Sequence, residues 1–256
     1  MAPLLSIEKA SVQFGGLRAV GALDFHIAEE EMVGLIGPNG AGKTTVFNLI
    51  TGVYPPTSGR ITFAGKRIDQ LAPDRIAACG IARTFQNIRL FGSLSVFDNV
   101  RAAMNLQLRH RIVHALVRGK KFSDEESSIR ERVFDLLSIF GLQDEADDMA
   151  TSLPYGDQRR LEIVRALATV PRLLLLDEPA AGMNPTEKSE LMELIRFVQN
   201  RFRIAVLLVE HDMGVVMGIC QRIVVLDHGE KIAEGPPDHI KSDPKVIEAY
   251  LGKEPA

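Results

Sequence analysis

Gly37-Pro38-Asn39-Gly40-Ala41-Gly42-Lys43-Thr44 is the stretch on which the reading of this chain turns. Its spacing is G-x-x-x-x-G-K-T, in which glycines let successive backbone N–H groups turn inward and form an anion-binding nest. A helix opening near Lys43 adds the positive end of its dipole. In such a loop Lys43 reaches the β- and γ-phosphates of a nucleoside triphosphate, and the Thr44 hydroxyl ligates Mg²⁺. The surroundings agree with this. Met32 to Ile36 is a short apolar run that reads as a strand entering the loop, and Thr44 to Ile50 reads as a helix leaving it, with a stop at Gly52.

A second site is Leu173-Leu174-Leu175-Leu176-Asp177-Glu178-Pro179, whose Asp177 lies 134 residues beyond Lys43. Four apolar residues read as a buried central strand, with the acids at its carboxyl end, where open α/β sheets place their ligands. Asp177 is suited to the Mg²⁺ shell, and Glu178 to activating a water for in-line attack on the γ-phosphate.

Outward from these two sites, β-rich runs fill the first third: Leu4 to Phe14, Leu23 to Ile27, and a hairpin at Ala64-Gly65-Lys66. Ile204 to Val209 reads as another buried strand, and Ile223 to Leu226 with Lys231 to Ala233 as a hairpin across Asp227 to Glu230. Asn184-Pro185 reads as an N-cap followed by proline at the first helical position. Apolar strands alternating with helices predict a parallel sheet covered on both faces. The middle of the chain differs. Residues 99–123 hold six bases (Arg101, Arg109, Arg111, Arg118, Lys120, Lys121) and no acid, whereas residues 124–148 hold nine acids against Arg130 and Arg132. Ser123 with Glu126 has the capping-box pattern, and Val133, Leu136, Leu137 and Phe140 form a helical stripe ending at Gly141. Roughly 87–165 therefore reads as mainly helical. The basic run reads as a solvated helical face, with contact to anionic lipid headgroups or membrane subunits as its alternative.

Composition sets the outer bounds. The 256 residues are 46% hydrophobic and 25% charged with a net charge of −3, which excludes intrinsic disorder and low-complexity classes and argues against bulk nucleic-acid binding. The longest apolar run is six residues against the roughly 20 of a spanning helix. Two cysteines make no disulfide framework, and the N-terminal residues lack a basic signal region, so a cytoplasmic setting is expected.

Further stretches give the pattern a family. Leu153-Pro154-Tyr155-Gly156-Asp157-Gln158, Gln86 within Arg83-Thr84-Phe85-Gln86-Asn87, Ala181-Gly182-Met183-Asn184 and His211 within Val209-Glu210-His211-Asp212 stand in the order of the signature loop, Q-loop, D-loop and switch histidine, and the chain resembles an ATP-binding-cassette ATPase. Gly15 to Val20, Arg83 to Phe91, Arg159 to Ala168 and the ending Ala249-Tyr250-Leu251-Gly252 are similar to the ATP-binding subunits of bacterial branched-chain amino acid importers, with urea and short-amide importers as alternatives. A soluble, non-transport cassette protein ranks below these.

The resemblance implies an α/β P-loop NTPase fold: a RecA-like parallel core with an antiparallel β subdomain (residues 1–86 and 166–256) and an inserted helical subdomain carrying the signature loop (87–165). It implies ATP and Mg²⁺ as cofactors. ATP would lie on Gly37, Pro38, Asn39, Gly40, Ala41, Gly42, Lys43, Thr44 and Thr45, with adenine stacked on Phe14 beside Val20. Tyr155, Gly156 and Asp157 would meet the nucleotide of a second copy. Thr44, Gln86 and Asp177 would serve the metal, and Glu178, His211 and Gln86 the hydrolysis. Pro154 departs from the family's serine and removes its hydroxyl, although a helix from about Gln158 to Thr169 still aims its dipole at phosphate. The implied partners are two membrane permease subunits, a second ATP-binding subunit (a different chain, or a second copy of this one) and, indirectly, a periplasmic solute-binding protein. The implied location is the cytoplasmic face of the inner membrane.

Overall fold

Two adjacent parallel strands bracket an insertion. β6 (Ile81–Arg83) pairs with β7 (Leu173–Asp177) in the register Ile81↔Leu173, yet 89 residues separate the two strands in the chain. The computed structural model describes residues 2–104 and 120–251. It separates into two units, Met1–Arg83 with Arg172–Ala256, and Thr84–Pro171. The expected boundaries at 86/87 and 165/166 lie three to six residues inside these.

In the first unit the larger sheet runs β10 (Glu230–Gly235), β9 (Arg222–Asp227), β3 (Met32–Ile36), β8 (Ala205–Val209), β7, β6. All its pairings are parallel except that of β10, which is antiparallel to β9. Every residue of β3, β7 and β8 is buried, as expected for strands covered on both faces. A second sheet is antiparallel, in the order β2 (Leu17–Ile27), β1 (Leu5–Phe14), β4 (Ser58–Phe63), β5 (Lys66–Arg67). Inward side chains of both sheets share one core with helix α1 (Lys43–Ile50), where Phe47, Leu35, Leu175 and Leu207 are wholly buried. Each such side chain contributes about 1.5–3 kcal/mol relative to exposure. Helices α2 (Pro73–Ala78), α6 (Pro185–Phe202), α7 (Met213–Ile219), α8 (Pro237–Ser242) and α9 (Pro244–Leu251) complete this unit.

The second unit is helical: α3 (Val96–Met104), α4 (Lys120–Ile139), a 3₁₀ turn at Ala150–Ser152, and α5 (Tyr155–Ala168). Arg101, at the start of the basic run, pairs with Glu126 at 3.0 Å. Arg109, Arg111 and Arg118 lie outside the described residues.

Three expectations need correction. β2 begins at Leu17, not Leu23, because the Gly15-Gly16 turn folds it straight back onto β1 and the ladder Phe14↔Leu17, Gln13↔Arg18 holds a segment whose outward face is polar. α4 is already under way at Lys120, so Ser123 is inside the helix and is not its cap; nothing in Lys120–Asp124 breaks a helix. α5 starts at Tyr155, with Pro154 extended at its N-cap, three residues before the expected Gln158. Gly156 is no obstacle there, since the N–H groups of a first turn have no intrahelical partner to lose.

Candidate functional site

The chain leaves β3 at Gly37 and must turn before α1. Gly37, Gly40 and Gly42 take φ values of 152°, 82° and 101°, angles that L side chains rarely adopt. At Gly37 the constraint is also steric: a Cβ would stand 2.1 Å from the Leu226 carbonyl oxygen. Ala41 O accepts from Gly229 N at 3.0 Å, and Gly229 O accepts from Gly21 N at 2.8 Å, so the β9–β10 turn braces the loop against β2. Val20 is wholly buried, 3.6 Å from where a Gly42 Cβ would be. It supports the loop from beneath and presents no surface to a nucleotide.

Lys43 is buried, and its Nζ donates to Gly37 O at 2.7 Å and Pro38 O at 2.9 Å, folding the ammonium back over the loop. Burial lowers its pKa, while the charges of Glu178 and Asp177 pull it back up. Thr44, Asn39 and Gly40 are exposed, Thr45, Pro38 and Gly42 half-buried, and Ala41 buried. An inward-turned backbone, a helix N-terminus and a lysine at one loop make a receptor for polyphosphate.

Asp177 ends β7 and is buried. Its Oδ2 accepts from Arg83 Nη2 at 2.9 Å, and Arg83 Nη1 donates to Asn48 Oδ1 at 2.7 Å. Its guanidinium lies 5.3 Å over the Phe47 ring. Thr44 and Asp177 offer the hydroxyl and carboxylate oxygens that suit Mg²⁺, which takes one or two protein ligands together with phosphate oxygens. Among the described residues no group of three or more His, Cys, Asp or Glu side chains is placed to hold a metal.

Glu178 follows in the left-handed region at φ 49°, with its N–H held by Val209 O at 2.8 Å. Left-handed backbone costs a non-glycine residue about 1–2 kcal/mol, and such strain gathers at working sites. Its result is that Oε1 of Glu178 meets Nε2 of His211 at 2.6 Å, although the two are 33 residues apart. Phe14 is half exposed at the tip of β1, its ring edge-on to Tyr54 with centroids 5.1 Å apart.

Lys43, Asp177, Glu178 and His211 thus come from the ends of adjacent parallel strands of one unit. Gln86, Tyr155, Gly156 and Asp157 belong to the other, where Gly156 and Asp157 occupy the first turn of α5 and Tyr155 is half exposed.

Four contributors were not singled out from the sequence. Arg83 holds Asp177, and Tyr54 flanks Phe14. Glu210 is buried and accepts from Ala180 N at 2.8 Å and His211 N at 3.2 Å, tying the turn after Glu178 to the histidine. Burial raises its pKa, backbone N–H groups of Ala180, His211 and Asp212 pull it down, and the charge of Glu178 raises it further. Tyr250 on α9 is a further group of note: desolvation raises its pKa, and the Gly37 backbone N–H opposes that rise. Arg83, Glu210 and Tyr250 stand inside or beside the quoted motifs, which is the signal that could have found them.

The fold and this site define a nucleoside-triphosphate-binding α/β ATPase. The sequence profile described as ABC transporter matches residues 20–181, and the chain belongs to that family. The profile of the branched-chain amino acid ATP-binding cassette transporter matches residues 230–256. The chain is 45% identical, over 98% of both chains, to the high-affinity branched-chain amino acid transport ATP-binding protein LivG of Escherichia coli. It is 43% identical, over the same shares, to BraF of Pseudomonas aeruginosa, described in the same terms. Among solved structures, an ABC transporter's ATP-binding cassette in its ADP conformation superposes with a TM-score of 0.85 at 29% identity, covering 99% of this chain and 100% of that one. No helix among the described residues is long and apolar enough to cross a membrane.

Proposed function

We propose that this chain is the ATP-hydrolysing subunit of an importer for branched-chain amino acids, acting on the cytoplasmic face of the membrane with two permease subunits and a second ATP-binding subunit. The 2.6 Å pairing of Glu178 with His211 carries the hydrolytic part of this reading. The near-complete alignment with LivG and BraF, together with the match over residues 230–256, supports the cargo.

In this reading Lys43 and the N–H groups of Gly40 to Thr45 hold the β- and γ-phosphates. Thr44 and Asp177 hold Mg²⁺, assisted by Gln86; when bound, the metal neutralises charge on the phosphate oxygens. Phe14 stacks on adenine. The Glu178 carboxylate takes a proton from the water that attacks in line, and His211 fixes which way that carboxylate points. Tyr155, Gly156 and Asp157 lie at a helix N-terminus and close over the triphosphate of the other subunit. Hydrolysis is thereby tied to dimer closure.

Two measurements test this. Glu178→Gln should cut ATP turnover by about 10²-fold or more while leaving ATP binding intact; turnover at the wild-type rate would refute the hydrolytic assignment. Uptake of labelled leucine, isoleucine or valine by vesicles holding the assembled transporter should depend on this chain, and uptake of urea instead would overturn the cargo.

A further inference from the structure

Arg159 and Glu162 stand one turn apart on α5 with relative exposures of only 2% and 4%. A buried ion pair costs several kcal/mol per ion unless its hydrogen-bonding capacity is filled. Here most of that capacity is directed at one short loop. Arg159 Nη1 donates to Phe85 O at 2.7 Å, and Nη2 donates to the carbonyl of Gln86. Glu162 Oε1 accepts from Phe85 N at 3.2 Å and Arg89 N at 3.4 Å, and Oε2 closes the pair with Arg159 Nη1 at 3.2 Å. The guanidinium is held in turn by Tyr155: Nη2 donates to the Tyr155 hydroxyl at 3.1 Å, and its central carbon lies 5.5 Å from the ring centroid. Arg165, two turns along α5 from Asp157, adds a bond to Arg89 O. Backbone groups of a loop that would otherwise face water are thus met by side chains of one helix.

We infer that Arg159 is a positioning residue: it fixes the backbone of Gln86 to α5 and makes the place of Gln86 depend on Tyr155. The inference rests on the roles proposed above for those two residues. A helix that shifts when Tyr155 meets a nucleotide carries Gln86 with it. The planar fork of arginine serves two carbonyls and a hydroxyl together, which the single ammonium of lysine cannot do.

The test uses the purified full-length chain with Arg159→Lys, which keeps the charge opposite Glu162, alone and combined with Gln86→Ala. Arg159→Lys should lower kcat about 10- to 100-fold, the scale of a catalytic group displaced by about 1 Å, with the KM for ATP little changed. Beside Gln86→Ala it should add nothing. Hydrogen exchange at the amides of Phe85 and Arg89 should speed up. Tyr155→Phe, which removes only the hydroxyl, should give a smaller kcat loss that also vanishes beside Gln86→Ala; a loss that persists there overturns the link to Tyr155. Arg159→Met with Glu162→Met replaces the pair by packed apolar volume, and should show the same kcat loss and faster exchange. It carries the test if the lysine variant does not fold. Unchanged kcat with unchanged exchange, or losses that multiply with that of Gln86→Ala, would overturn the proposal. If Gln86→Ala alone turns over normally, the role of Gln86 fails instead, and the exchange data still decide whether the clamp exists.

Discussion

Two glycines of the phosphate loop separate steric need from conformational need. A methyl at Gly37 would collide with the Leu226 carbonyl at 2.1 Å. A methyl at Gly40 would meet nothing within 4 Å, and only its φ of 82° resists substitution. Gly37→Ala is therefore expected to displace β9 or the loop and to lose ATP binding. Gly40→Ala should cost about 1–2 kcal/mol of backbone strain and keep a folded core. Equilibrium unfolding and nucleotide titration of both variants check the contrast; equal losses would mean that the collision is relieved at no cost. The glycines, Lys43, Asp177 and Glu178 were legible because their spacing is dictated by the chemistry of phosphate, whereas His211 was legible only through its match to the family motif. The buried Arg159 and Glu162 were not. An arginine and a glutamate three apart on a helix read as a solvated pair, and only the fold places the Phe85–Arg89 backbone against them. Val20 misled for the same reason, since its sequence position says nothing of which side of the loop it lies on.

Among the elements, α6 shows how much a few local residues can set. Asn184 Oδ1 accepts from Thr186 N at 2.9 Å and Glu187 N at 3.0 Å, while Glu187 Oε2 accepts from Asn184 N at 2.8 Å. Pro185 fills the first helical position, where no N–H is needed. Asn184→Ala should cost about 1 kcal/mol, or roughly 2–4 °C in Tm for a chain of this size, measured by thermal unfolding. No change in Tm would mean that tertiary packing holds the helix start without its cap. Elements that carry their own stop signals were legible in this way, including α1, ended by Gly52, and the hairpins at Ala64-Gly65 and His228-Gly229, whose paired positive φ angles match the twist of the strands. The starts of β2, α4 and α5 were not, because pairing across a sheet and packing against neighbouring helices extend an element past the point where its apolar pattern begins.

Over the whole molecule, carboxylates of opposite tendency set the response to acid. Burial alone would raise Glu31 and Asp69, but hydrogen bonds from Arg222 and the Ala28 amide to the first, and from Arg67 and the Ile61 amide to the second, outweigh it and hold both below their ordinary values. Such groups bind fewer protons folded than unfolded, so their stabilisation is complete above the unfolded carboxylate range of about 4 and is lost as pH falls through their lower folded values. Glu162 and Glu210 behave oppositely. Burial raises both, and their backbone and arginine contacts only partly offset it. They take up protons first in the folded state, and so regain stability as pH falls through their raised values toward the ordinary one. Stability should therefore hold or rise on mild acidification and then drop steeply below pH about 4. Glu31→Gln should lower stability at neutral pH and flatten that drop, because the neutral amide no longer responds to acid while Arg222 keeps Glu234 as a partner. Urea midpoints for both proteins from neutral pH into the acid range measure it. Parallel curves would show that the Glu31–Arg222 pair, which joins the turn before β3 to the start of β9, makes no net contribution to folding.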